Sequence, residues 1–266
     1  MDRLEAVRMS ALADAYSLLA VMLDRPTFVL AEGLASGSLL RDAQSIAEEA
    51  GLGSAWASAV DVFLVSGEAP QTNAIDGDEA LSAYLHQLRI EHTRLFEHPV
   101  SPAVPLFEGQ FLYKVKQNNP SAGDAPTRRA RFGAKEEPEC AGRARAVRKE
   151  DFFDERPRLF VNDAALDAER CYRKAGLKRS ADKNIPADSM ITELQFIAHL
   201  HAEKARTLLG DDIRETEPWD SLIEEFNRIH LRKWAYDFFY AIEKETRLEA
   251  YRLLGALGVA LFDARL

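Results

Sequence analysis

The side chains best suited to recognise a charged ligand lie in one segment, residues 88–113, where a helical pattern runs into closely spaced prolines. Glu91, Arg94 and Glu108 supply charge of both signs there. A proline has no N–H and biases the preceding residue away from helical geometry, so the helix must end in a stiff loop, which contains Pro99, Pro102 and Pro105. Carbonyl groups that such a loop leaves unpaired suit a ligand rich in hydrogen-bond donors. Nothing in the segment has the composition of a catalytic centre.

A second group of carboxylates could bind a metal ion. Asp211, Asp212 and Glu215 fall in a run that resembles the aspartate-rich motif by which all-α isoprenoid synthases bind magnesium diphosphate, since paired carboxylates can share a hard cation. The run follows Gly210 and precedes Pro218, as expected for a connection between helices. An all-α diphosphate-utilising enzyme that uses these three carboxylates is therefore an alternative function.

Other catalytic chemistries find no support in the residue spacing. None of the 6 histidines has a glutamate three residues before it, as a di-iron carboxylate bundle requires, and no glycine-rich phosphate loop is present. The 2 cysteines, Cys140 and Cys171, are far apart, in no CxxC arrangement and beside no recognisable activating group. We therefore expect no catalytic residue, no bound metal and no cofactor.

Composition favours a globular protein with a basic partner. The 266 residues are 47% apolar, which is enough to build a core, and the formal net charge is −9. A sequence pI near 5.3 argues against nucleic-acid binding and favours partners that carry arginine or lysine. Asp2, Glu5 and Asp14 interrupt the apolar N-terminal stretch, so we expect a helix of a cytoplasmic protein without stable membrane insertion.

Helical periodicity dominates the chain and predicts an all-α fold. A basic, aperiodic stretch separates two helical parts, so we expect a single helical-bundle domain with an N-terminal half at about 1–115, a hinge or insertion at about 116–160 and a C-terminal half at about 161–266. Caps and stop signals place the helices at 4–22, 38–51, 54–67, 76–96, 162–176, 188–210, 218–238 and 248–261.

Six short motifs follow one another along the chain: EHTRLF at 91–96, PAVPLFEGQF at 102–111, YRKAGL at 172–177, PADSM at 186–190, ELQF at 193–196 and HLxxW at 230–234. In sequence and in order they resemble the motifs of the TorD/DmsD/NarJ family of molybdoenzyme chaperones. Two departures from the family pattern are present: Ser189 replaces a histidine, and Gly109-Gln110-Phe111 replaces Ser-Val-Tyr.

The resemblance implies a TorD-like helical chaperone that is not an enzyme. Such proteins bind the twin-arginine signal peptide of a molybdopterin-containing oxidoreductase catalytic subunit and assist cofactor insertion before export or assembly. The resemblance and the chemistry of an arginine-bearing, apolar peptide together indicate a binding site made of Glu91, Arg94, Phe96, Pro105, Leu106, Phe107, Glu108, Phe111, Asp188, Ser189 and Glu193.

Structural roles for some of these residues stay open. Asp188 is a natural helix N-cap, Phe96 could belong to the core, and Glu91 could pair with Arg94 one helical turn away. A helical adaptor with another client would share the same fold. We expect a monomer, although a long hinge would also permit a domain-swapped dimer.

Overall fold

The computed structural model describes residues 2–69, 77–118, 163–177, 186–210 and 217–263. Within these ranges the chain is helical apart from turns and one isolated β-bridge, which confirms the predicted all-α fold. Most of the predicted hinge lies outside the described residues, as do Cys140 and the alternative metal-binding group of Asp211, Asp212 and Glu215.

The helices of the described residues are α1 (Asp2–Leu23), α2 (Phe28–Ala35), α3 (Ser38–Ala50), α4 (Ser54–Ser66), α5 (Gly77–His92), α6 (Glu108–Asn118), α7 (Asp163–Lys174), α8 (Met190–Leu209), α9 (Glu217–Phe226), α10 (Arg232–Glu245) and α11 (Glu249–Asp263). The predicted helices occur in the predicted order, but α2 and α6 were not predicted, and the helix expected at 218–238 is divided into α9 and α10 and extends to Glu245. Residues Thr93–Glu97 and Asn227–Leu231 form one π-helical turn each, which interrupts helices predicted to be continuous.

Most helix ends obey the expected signals. Gly51 and Gly176 adopt the left-handed conformation, with φ of 66° and 78°, immediately beyond α3 and α7. The N-caps of α3 and α4 are Gly37 and Gly53, so these helices begin at Ser38 and Ser54, the first residues of the predicted ranges. The sequence patterns did not predict α2, which is short and apolar around most of its surface.

Helices from both halves of the sequence share one hydrophobic core. Helix α1 packs on α8, and α4 packs on α11, so the first and last parts of the chain are interleaved in space. Arg3–Leu23 is long and apolar enough to cross a membrane by length and composition, with a mean hydropathy of 1.4. Because 61% of its apolar window is buried in the protein, it acts here as a core helix.

Helices α10 and α11 pack against each other at two glycines of α11. A Cβ atom added to Gly258 would lie 2.0 Å from Cγ of Phe239, and one added to Gly255 would lie 2.7 Å from the backbone nitrogen of Glu243. Only glycine allows the two helices to approach this closely.

Candidate functional site

Two of the sequence motifs, far apart along the chain, meet at a short backbone pairing. Phe107 and Ser189 form an antiparallel bridge. The N–H of Glu108 donates to the carbonyl of Asp188 at 2.9 Å, and the N–H of Met190 donates to the carbonyl of Leu106 at 2.9 Å. We call residues 105–109 together with residues 186–190 the seam. The seam joins the N-terminus of α6 to the N-terminus of α8.

Asp188 caps a helix, although a different one from that predicted. The N-cap position of α8 belongs to Ser189, whose side chain makes no capping hydrogen bond. Oδ2 of Asp188 instead accepts the backbone N–H of Gly109 at 3.2 Å, in the first turn of α6. The hydroxyl of Tyr172 donates to the carbonyl of Ala187 at 2.7 Å and holds the same segment against α7. Asp188 therefore stabilises the seam itself.

Buried acidic side chains gather beneath the seam around one imidazole. Nδ1 of His230 lies 2.8 Å from Oε2 of Glu108, and the indole N–H of Trp234 donates to Oε2 of Glu193 at 3.1 Å. Glu108, Glu193 and His230 are 2%, 0% and 1% exposed. We call Glu108, Asp188, Glu193 and His230 the acid cluster. Glu108 lies on α6, Glu193 on α8 and His230 in the second π turn, and Asp188 lies two residues before the start of α8.

The acid cluster disfavours the ionised form of the acidic groups within and beside it. Burial and then the charge of Glu108 raise the pKa of Glu193 well above its ordinary value, and the hydrogen bond from Trp234 does not offset them. Burial, followed by the charges of Glu193 and Asp188, also raises the pKa of Tyr172. The cluster thus disfavours any further negative charge and would be relieved by a cation.

Glu91 and Arg94 form a separate network away from the seam. Both oxygens of Glu91 accept from the guanidinium of Arg94, at 2.7 and 2.8 Å, and Oε1 also accepts from the hydroxyl of Thr246 and the N–H of Arg247. Burial favours the neutral acid, but these donors outweigh it and lower the pKa of Glu91. Arg94 also donates to the carbonyl of Glu245. The network fastens α5 to the turn between α10 and α11.

Two carbonyls of the proline-rich loop are hydrogen-bonded within the protein. The ammonium of Lys114 donates to the carbonyls of Pro102 and Ala103 at 2.8 and 2.9 Å. The N–H of Val104 donates to the carbonyl of Leu95 at 2.8 Å. Burial lowers the pKa of Lys114. The chain's own lysine thus occupies part of the surface predicted for a donor-rich ligand.

The predicted apolar residues divide into core and surface. Phe96 and Phe111 are 5% and 1% exposed, and both rings contact Phe238. Pro105 is also buried, whereas Leu106 and Phe107 are half-buried at the seam. Phe96, Pro105 and Phe111 therefore support the loop, and the apolar side chains accessible at the seam are Leu106 and Phe107.

Some important residues were missed by the sequence reasoning. His230 and Trp234 were recognised only as a helix motif, and Lys114 was not considered. The spacing H-L-x-x-W places its histidine and tryptophan on one side of a helix, which could have suggested a shared buried partner. Cys171, by contrast, is buried, and burial raises its thiol pKa to about 11, as expected for an unreactive side chain.

A pocket of about 340 Å³ lies in another part of the described structure. Arg8, Asn227 and Arg232 contribute polar groups to its lining, and the buried ring of His201 stacks on Tyr16 with centroids 5.5 Å apart. None of the residues predicted for peptide binding lines this pocket.

Fold and site together define an all-α, TorD-like protein in which paired motifs cover a buried acid cluster. The chain belongs to the nitrate reductase delta subunit family, whose model matches residues 50–240, more than half of its length. This is a family of soluble cytoplasmic chaperones that mature molybdoenzymes and act with their catalytic subunits. No curated protein and no solved structure is significantly similar to the chain.

Proposed function

We propose that this protein is a cytoplasmic, non-enzymatic chaperone that binds the twin-arginine signal peptide of an apo-molybdoenzyme at the seam and assists cofactor insertion. One observation carries the proposal: three carboxylates and a single imidazole form the acid cluster directly beneath a half-buried apolar pair, Leu106 and Phe107. A signal peptide offers the complementary groups, namely guanidinium ions next to an apolar stretch.

Arginine suits this arrangement better than lysine. A guanidinium is planar and can donate two parallel hydrogen bonds to one carboxylate, whereas an ammonium acts as a compact point charge that is strongly hydrated. Glu108 and Asp188 would accept the guanidinium hydrogen bonds, Glu193 would add acceptor capacity, and Ser189 would contribute its hydroxyl. Leu106 and Phe107 would contact the apolar stretch.

Access to the acid cluster requires the seam to open, because its carboxylates are buried. The N–H groups of Glu108 and Met190 are hydrogen-bonded across the seam, so their exchange with solvent reports on that opening. Peptide binding that separates residues 105–109 from 186–190 should accelerate exchange at these two amides. The remaining predicted residues, Glu91, Arg94, Phe96, Pro105 and Phe111, would then act by holding the loop in place.

The test is peptide affinity in EDTA-containing buffer, measured by fluorescence anisotropy with a synthetic twin-arginine signal peptide and a version with both arginines replaced by lysine. We expect a preference for the arginine peptide, and a loss of about tenfold or more in Glu108→Gln and Asp188→Asn, because each removes a charged acceptor. Glu203→Gln on α8 is the matched control, since its carboxylate pairs with Arg206 at the surface.

Two results would count against the proposal. Unchanged affinity in both seam variants would remove the seam as the binding site. Magnesium-dependent binding of a diphosphate compound, abolished by Asp211→Asn and Asp212→Asn, would favour the alternative enzyme.

A further inference from the structure

Three donor atoms in the acid cluster converge from three different elements. One atom each from Glu108 of α6, Glu193 of α8 and His230 of the second π turn lies within 4.8 Å of the other two. We propose that these residues form a site for a divalent transition-metal ion, with one imidazole and two carboxylate ligands. Neither the family membership nor the proposed peptide binding assigns such a site.

An unsatisfied polar atom provides independent support. Oε1 of Glu193 is buried and makes no hydrogen bond within the described residues. Buried polar atoms are almost always paired, and an exception calls for a partner such as an ion. A metal ion would engage the carboxylate of Glu193 and fix the orientation of the His230 ring.

The charge balance also favours a cation. Glu108 and Glu193 are carboxylates that are only 2% and 0% exposed, and each contributes an atom to a group that spans no more than 4.8 Å. Bringing ionised carboxylates together in a buried site is unfavourable unless a cation compensates them. A divalent ion would allow Glu108 and Glu193 to be ionised at the same time.

The geometry needs only a small adjustment. Transition-metal ions such as Zn²⁺ bind nitrogen and oxygen ligands at about 2.0–2.2 Å, which places neighbouring ligand atoms roughly 3–4 Å apart. Nδ1 of His230 and Oε2 of Glu108 are 2.8 Å apart, so an ion would replace the proton between them with little movement of either residue. Glu193 would close the remaining gap by rotating its carboxylate.

Surrounding groups are suited to orient the ligands. The indole N–H of Trp234 holds Oε2 of Glu193 at 3.1 Å, and Oδ2 of Asp167 lies 3.9 Å from Nε2 of His230. Metal-binding imidazoles commonly donate their second N–H to a carboxylate, which is the role available to Asp167. Asp167 is 39% exposed, so it also marks the side from which an ion would reach the cluster.

Mixed imidazole and carboxylate ligands fit Zn²⁺ and its neighbours in the transition series better than Mg²⁺ or Ca²⁺, which prefer oxygen. A bound metal ion and a client guanidinium would both bind the carboxylates of the acid cluster, so they should compete at this site. The metal site itself does not depend on the client, because it can be titrated without any peptide.

The test uses the full chain without a polyhistidine tag, stripped with EDTA and exchanged into metal-free buffer at pH 7.5. Co²⁺ serves as the spectroscopic probe and Zn²⁺ as the competitor, with calorimetry for stoichiometry. We expect one ion per chain, ligand-field absorption from Co²⁺, and affinity weakened by about tenfold or more in Glu193→Gln and His230→Gln.

Glu203→Gln and His98→Gln serve as controls, because they change the same residue types at partly or fully exposed positions. If His230→Gln fails to fold by circular dichroism, Glu193→Gln still decides the matter, since glutamine preserves the shape and can accept the Trp234 hydrogen bond. Absence of stoichiometric binding to the wild type, or equal affinity in Glu193→Gln, would overturn the proposal. Either result would leave the peptide assay in EDTA untouched.

Discussion

Replacing Glu193 by glutamine should stabilise the protein increasingly as the pH rises. Glu193 is fully buried, and burial together with the charge of Glu108 raises its pKa well above the ordinary value of 4.5. Above that ordinary value, the unfolded chain has lost the proton that the folded chain still holds. Stability therefore falls with rising pH until the pH reaches the folded-state pKa, and an uncharged glutamine removes this loss.

The expected size follows from the proton difference. One proton retained only by the folded state changes the free energy of unfolding by about 1.4 kcal/mol per pH unit. Above pH 4.5 the advantage of Glu193→Gln over the wild type should therefore grow by about 1.4 kcal/mol for each pH unit, until the folded-state pKa is reached. The hydrogen bond from Trp234 can persist, because the glutamine side chain retains a carbonyl oxygen.

Urea unfolding followed by circular dichroism at a series of pH values measures this difference. EDTA in all buffers keeps divalent ions from contributing. Glu203→Gln, on the same helix but in a surface pair with Arg206, should leave the wild-type pH slope unchanged. A stability difference between Glu193→Gln and wild type that stays constant from pH 5 to pH 7 would refute the reasoning, since Glu193 would then be ionised in the folded state.

Three further substitutions test contacts elsewhere in the structure. Glu91→Gln should lower the free energy of unfolding, measured in urea, by about 2 kcal/mol at pH 7, because it weakens charged hydrogen bonds. Folding lowers the pKa of Glu91, so the difference from the wild type should shrink at acidic pH, where the wild-type carboxylate becomes protonated. Gly258→Ala should cost about 3 kcal/mol or more in a thermal melt, because the new methyl group would overlap Phe239. Tyr172→Phe should cost about 1 kcal/mol in urea unfolding and accelerate amide exchange at the seam, because the carbonyl of Ala187 loses its donor.

Local patterns were sufficient for most of the fold. Apolar residues at helical spacing predict α1 and α8, and glycine signals end α3 and α7, because these features depend on residues a few positions apart. The π turn at Asn227–Leu231 could not be predicted in this way, since a one-residue change in hydrogen bonding leaves the apolar pattern nearly intact.

Residues of the candidate site could be predicted only where they belong to short sequence motifs. Family-like motifs placed Glu108, Asp188 and Glu193 in one expected site, and the structure brings these three together. The sequence analysis also allowed Glu91 to pair with Arg94, three residues later on the same helix, instead of binding a ligand, and the structure contains this ion pair. The contact between Glu108 and His230 spans 122 positions in the sequence, so residue spacing alone contained no information about it.

The interleaving of α1 with α8 and of α4 with α11 has a consequence for synthesis of the protein. The contact of α1 with α8 cannot be completed until Leu209, the last residue of α8, has left the ribosome, and the contact of α4 with α11 requires a still longer chain, although α3 can pack on both α1 and α4 earlier. A vectorially emerging N-terminal half would thus expose apolar surface for much of translation. Before it can protect a client, the newborn chain is itself an aggregation-prone polypeptide, and its own folding should be sensitive to translation rate and to general chaperones.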